Sequence, residues 1–252
     1  MASLLEVRDL RKSFGNLKAL DGVTMAVIPQ TVNILIGPNG SGKTTLINVV
    51  SGFYRPDSGE VTFDGQDITS LPPYKLYAMG LARTFQIPNL FWKLTVLENV
   101  LVAEKGHPGE SFLFSLLKRT WAKREIEATE RAMKILDLLG LGKVTDSLAL
   151  RLSGGQMKLL EIGRVLMSGS KLILLDEPIS GVNPTLAHEI FGRILKLRDD
   201  LGVTFLIVEH RLDIALSYVD TVTAMAFGKV VAAGKPELVM SDPKVIEAYL
   251  GA

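Results

Sequence analysis

The chain has 252 residues, with 28 Lys+Arg against 27 Asp+Glu, three His and no Cys. That length supports one large domain or two modest ones without covalent staples. The missing cysteines exclude disulfides, thiolate metal sites and cysteine nucleophiles, and a formal charge of +1 leaves no basic surplus for nucleic acid. Glu6, Arg8, Asp9, Arg11 and Lys12 break up the N-terminal stretch, so no secretory leader is expected there. No apolar run is long enough to span a bilayer, which needs about 18 residues or more. The expectation is a cytosolic protein. Its 47% apolar content and mean hydropathy of +0.27 suit a buried parallel sheet, or else an apolar docking surface.

Leu4–Leu10 and Val23–Val27 alternate loosely, as half-buried strands do, on either side of a turn at Phe14-Gly15-Asn16. The β-branched run Thr31–Ile36 stops at a glycine-rich turn, and Thr44–Gly52 reads as a helix ended by glycine. Glu60–Phe63 followed by Asp64-Gly65 predicts one arm of a hairpin. From about Leu94 to Ser168 the pattern is helical, with Ala128, Ala132, Ile135, Leu136 and Leu139 on one stripe. Strands then alternate with helices: Leu172–Leu175, a helix from Pro184, Val203–Val208, a helix from Arg211, Val222–Phe227 and Val230–Ala233. This order predicts an α/β fold with a mostly parallel sheet, interrupted by an inserted helical segment. The expected boundaries are 1–93 with 169–252 for the α/β part, and 94–168 for the insertion.

Gly37-Pro38-Asn39-Gly40-Ser41-Gly42-Lys43-Thr44 fits G-x-x-x-x-G-K-[ST] between a strand and a helix. Its glycines let backbone N–H groups converge on an anion, and the helix N-terminus adds positive potential. Lys43 is expected to reach the β- and γ-phosphates and Thr44 to offer a hydroxyl to Mg²⁺. Thr45, next in the same helix start, is expected to contact the nucleotide as well. The apolar strand ending in Asp176-Glu177 supplies the acid that such chemistry needs for Mg²⁺, and a neighbouring carboxylate to polarise water. His210 ends the next strand and is placed to approach the γ-phosphate.

Leu152-Ser153-Gly154-Gly155-Gln156 resembles the signature of ABC-type ATPases. With the phosphate loop, Gln86, Asp176-Glu177 and His210 in this order, the resemblance spans essentially the whole chain. It implies a P-loop ATPase fold with an N-terminal antiparallel β part and a helical signature subdomain, using ATP and Mg²⁺. It also implies that Phe14 stacks on adenine and that Gln86 touches both Mg²⁺ and the attacking water. By the same resemblance Glu177 is the general base and His210 the switch histidine. Ser153, Gly154, Gly155 and Gln156 would contact the nucleotide of a second ATPase subunit, a copy or a sibling, in a head-to-tail dimer. One departure stands out: Asn183 occupies a position where the family often has Asp.

Ala82–Gln86, Gly155–Arg164 and Asp242–Gly251 are similar to the ATP-binding subunits of branched-chain amino acid importers. The resemblance therefore implies permease partners in the membrane and a cytoplasmic location, peripheral on its inner face. An ATPase for another cargo, such as lipopolysaccharide export, and a soluble non-transport ATPase are the alternatives. Phe91 and Trp92 are candidates for docking the membrane subunit, or else for burial under the insertion.

Overall fold

A computed structural model describes residues 2–84, 89–106 and 118–250. It divides into two compact units, Met1–Gln86 with Lys171–Ala252, and Ile87–Ser170.

The first unit holds two sheets. In the antiparallel one, β1 (Leu5–Phe14) lies between β2 (Leu17–Val27) and β4 (Ser58–Phe63), and β5 (Gln66–Asp67) pairs with β4. The β1–β2 hairpin runs well beyond the alternation seen in the sequence. Its register shifts after Val7, and Asp9 takes a φ of 44°, so the two-residue period breaks there while the pairing continues. Asp64 and Gly65, both at positive φ, close the β4–β5 turn as that dipeptide favours.

The second sheet has the order β10-β9-β3-β8-β7-β6. Its members are β3 (Val32–Ile36), β6 (Leu81–Arg83), β7 (Leu172–Asp176), β8 (Thr204–Val208), β9 (Thr221–Ala226) and β10 (Lys229–Gly234). All neighbours are parallel except β10, which runs antiparallel to β9. Every residue of β3 and of β8 is buried, which is why those segments read as continuous apolar runs. The register puts Leu35, Val208 and Asp176 in one row across β3, β8 and β7. The residues that follow these three therefore leave the sheet along the same edge. At the usual strand spacing, β3 and β7 stand about 10 Å apart with β8 between them.

Helix α1 (Lys43–Val50) follows β3, α2 (Pro73–Met79) precedes β6, and α6 (Pro184–Leu201) links β7 to β8. The helix after β8 is short, α7 (Leu212–Ala215), and two more helices end the chain, α8 (Pro236–Met240) and α9 (Pro243–Leu250).

The second unit packs α3 (Val96–Leu101), α4 (Lys118–Leu138) and α5 (Gly154–Met167) against one another. Ala128, Ala132, Ile135, Leu136 and Leu139, the stripe read from the sequence, are all buried. Among the described residues no helix is long and apolar enough to cross a membrane.

Candidate active site

The turn from β3 into α1 is built around Gly37, Gly40 and Gly42. Gly37 has a φ of 150°, and a Cβ there would lie 2.2 Å from the Met225 carbonyl oxygen of β9 and 2.7 Å from Ser41 Oγ. Only glycine passes through that gap. Gly42, at a φ of 103°, caps α1 without any side-chain acceptor, so the first-turn N–H groups remain available to an anion. Asn39 and Gly40 are exposed, Pro38 is half-buried, and Gly37 and Ser41 are buried. The Ser41 carbonyl accepts from Gly228 N–H at 3.1 Å, which ties the loop to the β9–β10 turn.

Lys43 is buried, and its Nζ donates to the carbonyls of Gly37 at 2.7 Å and Pro38 at 3.0 Å. Burial pushes its ammonium below the ordinary lysine range, and the Glu177 carboxylate opposes that shift through space. Thr44 is exposed and Thr45 half-buried at the helix start.

Asp176 ends β7 and Glu177 follows it in the left-handed region, at a φ of 49°. That conformation is uncommon for a residue with a side chain and marks local strain. Three contacts hold it. Glu177 N–H donates to the Val208 carbonyl at 2.9 Å, its carbonyl accepts from Ser180 N–H at 3.1 Å, and its Oε1 lies 3.3 Å from His210 Nε2. The two strand-end residues singled out from the sequence therefore meet. Phe14 is half-exposed at the end of β1, its ring edge-on to Tyr54 with centroids 5.4 Å apart and Lys12 Nζ 5.6 Å from its centroid.

In the second unit Ser153 caps α5. It accepts from Gln156 N–H at 3.4 Å, while Gln156 Oε1 accepts from Ser153 N–H at 2.9 Å. This reciprocal pair satisfies backbone donors at the start of α5, where Ser153 and Gly154 are exposed. Phe91 and Trp92 are both half-exposed, and Arg164 stacks over the Phe91 ring at 4.8 Å. Gln86 lies outside the described residues.

Two residues that sequence reasoning passed over belong to the same edge. Arg83, at the end of β6, donates through Nη2 to Asp176 Oδ2 at 2.9 Å and through Nη1 to Asn48 Oδ1 at 2.6 Å. Glu209 is buried between Val208 and His210, its carboxylate turned to backbone N–H groups. The departure at Asn183 has a plain local role: Asn183 Oδ1 accepts from Leu186 N–H at 2.9 Å and caps α6.

A phosphate loop at one strand end, with two carboxylates and a histidine on the adjoining parallel strands, defines a nucleoside triphosphatase of the P-loop class. Comparison with known proteins narrows this. Residues 20–180 match the family described as ABC transporter, and 229–252 match the one described as branched-chain amino acid ATP-binding cassette transporter. A probable branched-chain amino acid transport ATP-binding protein of Archaeoglobus fulgidus is 51% identical over 99% of this chain and 96% of its own. The corresponding protein of Methanocaldococcus jannaschii is 50% identical over 98% and 97%. Among solved structures, the ADP conformation of an ATP-binding cassette of an ABC transporter superposes with a TM-score of 0.86, at 49% identity over 100% of both chains. The chain belongs to the ABC transporter family, as its ATP-binding and ATP-hydrolysing component.

Proposed function

We propose that this chain is the motor subunit of an importer for branched-chain amino acids, hydrolysing ATP through Glu177. The observation that carries the reading is the 3.3 Å approach of Glu177 Oε1 to His210 Nε2, at the ends of β7 and β8 beside the loop of Lys43. Lys43 transfers its donors from the loop carbonyls to the β- and γ-phosphates of ATP. Glu177 accepts the proton of the attacking water, and His210, whose Nε2 lies 3.3 Å from its Oε1, holds the carboxylate towards the γ-phosphate. Phe14 stacks on adenine.

Asp176 and Thr44, together with Gln86, would hold Mg²⁺. The donors suit a hard cation: Asp176 supplies a carboxylate at the end of β7, beside Arg83, and Thr44 an exposed hydroxyl at the start of α1. Among the described residues no group of three or more His, Cys, Asp or Glu makes an all-protein metal cage, which suits an ion shared with phosphate oxygens. When bound, such an ion neutralises charge on the β- and γ-phosphates.

Ser153, Gly154, Gly155 and Gln156 complete the ATP site of a second subunit, a copy or a sibling, in a head-to-tail dimer. ATP drives closure because it binds the closed pair more tightly than the open one. Phe91 and Trp92 offer an apolar seat for permease subunits, with the cassette on the inner face of the membrane. The named relatives and the matched C-terminal segment support branched-chain amino acids as cargo.

Uptake of labelled leucine into cells tests the reading. Deleting the chain is expected to abolish uptake and the parent gene to restore it, whereas Glu177→Gln fails to restore it. Full uptake with Glu177→Gln contradicts the proposal.

A further inference from the structure

We infer that Glu209 is a positioning residue that holds the general base and the switch histidine as one unit, an inference that rests on the roles proposed for Glu177 and His210. Glu209 is 2% exposed, yet carries a carboxylate. A buried carboxylate persists only where donors satisfy it. Here they come from two loops. Oε1 accepts from Ile179 N–H at 2.9 Å, two residues after Glu177. Oε2 accepts from His210 N–H at 2.9 Å and from Arg211 N–H at 3.3 Å. One carboxylate thus fastens the loop leaving β7 to the loop leaving β8.

That fastening bears on chemistry because Glu177 sits at a φ of 49°, a conformation that needs support from around it. Ile179 N–H on Glu209 fixes the chain just beyond the strained residue. His210 N–H on the same carboxylate fixes the backbone behind the imidazole that meets Glu177. Arg211 adds a further tie, from Nη1 to the Val182 carbonyl at 3.1 Å. The 3.3 Å Glu177–His210 contact is therefore set by backbone anchors that converge on Glu209. Glu209 touches no substrate in this scheme; it acts through the two residues that do.

Glu209→Gln is nearly isosteric but turns an NH₂ group against N–H donors, so the clasp opens on one side. The full chain is assayed for ATP affinity by direct titration and for turnover, alone and in combination with Glu177→Gln. The expected result is a kcat lower by about 10- to 100-fold, the scale of a misplaced catalytic group, with ATP affinity within about twofold of the parent. The double variant is expected to hydrolyse within about twofold of Glu177→Gln alone, because the two residues act as a unit. A parent-like kcat overturns the inference. So does a full additional loss in the Glu177→Gln background, or a fall in ATP affinity and folding alongside turnover, which marks a merely structural residue. Parent-like turnover by Glu177→Gln itself refutes the base assignment instead, and the inference falls with it.

Discussion

Arg83 and Asp176, at the ends of adjacent parallel strands, form a largely buried ion pair with Nη2 2.9 Å from Oδ2 and side chains 9% and 17% exposed. The same guanidinium reaches back to Asn48 in α1, so one planar fork ties β6, β7 and the helix of the phosphate loop together. Removing one partner of such a pair leaves a charge without compensation. Arg83→Met is expected to lower the urea-unfolding free energy by about 2–4 kcal/mol. Arg83→Lys is expected to recover only part of this, since an ammonium lacks the planar fork. Equal stability of Arg83→Met and parent contradicts the bridge.

The phosphate loop separates close packing from backbone conformation. Gly37→Ala meets the Met225 carbonyl at 2.2 Å, whereas a Cβ at Gly40 meets nothing within 4 Å. Gly40→Ala bears only the strain of its φ of 78°, about 1–2 kcal/mol. Gly37→Ala is expected to cost more than that and to weaken ATP binding at least about tenfold, because backbone must move. Calorimetric titration and thermal unfolding of both variants check the order.

Lys43 gives a signature in pH. Burial holds its pKa below the ordinary 10.5, so in the window beneath that value the unfolded chain binds the proton more tightly and stability rises with pH. ATP reverses the burial effect by placing phosphate beside the ammonium and raising its pKa. Binding in that window is therefore expected to take up protons, seen as a dependence of the binding enthalpy on buffer ionisation. Lys43→Ala is expected to lose the uptake and most of the affinity. Proton release by the parent contradicts this.

Ser153 is both a helix cap and a proposed phosphate contact, and charge distinguishes these roles. Asp is as good a cap as Ser, so Ser153→Asp is expected to hold stability within about 0.5 kcal/mol, while Ser153→Ala loses about 1 kcal/mol. The added carboxylate repels a γ-phosphate, so Ser153→Asp is expected to abolish ATP-dependent association. Association at parent strength, measured by sedimentation, counts against the contact.

The sequence made much of this site legible because its signals are local. The strand-to-helix glycine turn, the carboxylates of Asp176-Glu177 and His210 each follow an apolar run, and β7, β8 and β3 do lie side by side. Arg83 was invisible because its partner Asp176 is 93 positions away, and Glu209 because its donor Ile179 is 30 positions away. A charged residue following five buried ones looks like a solvated strand end; only the folded chain reveals that Glu209 turns inward. Asn183 is the reverse case. It looked like a loss of charge, and a cap of α6 accounts for its amide.

Turnover per molecule, followed as the protein is diluted over about a hundredfold range, bears most directly on the claim that one subunit cannot enclose ATP by itself. Specific ATPase activity is expected to fall steadily on dilution, because in the proposed dimer the signature segment of one subunit reaches the phosphate loop of the other. Full activity that stays flat down to the lowest concentration contradicts it.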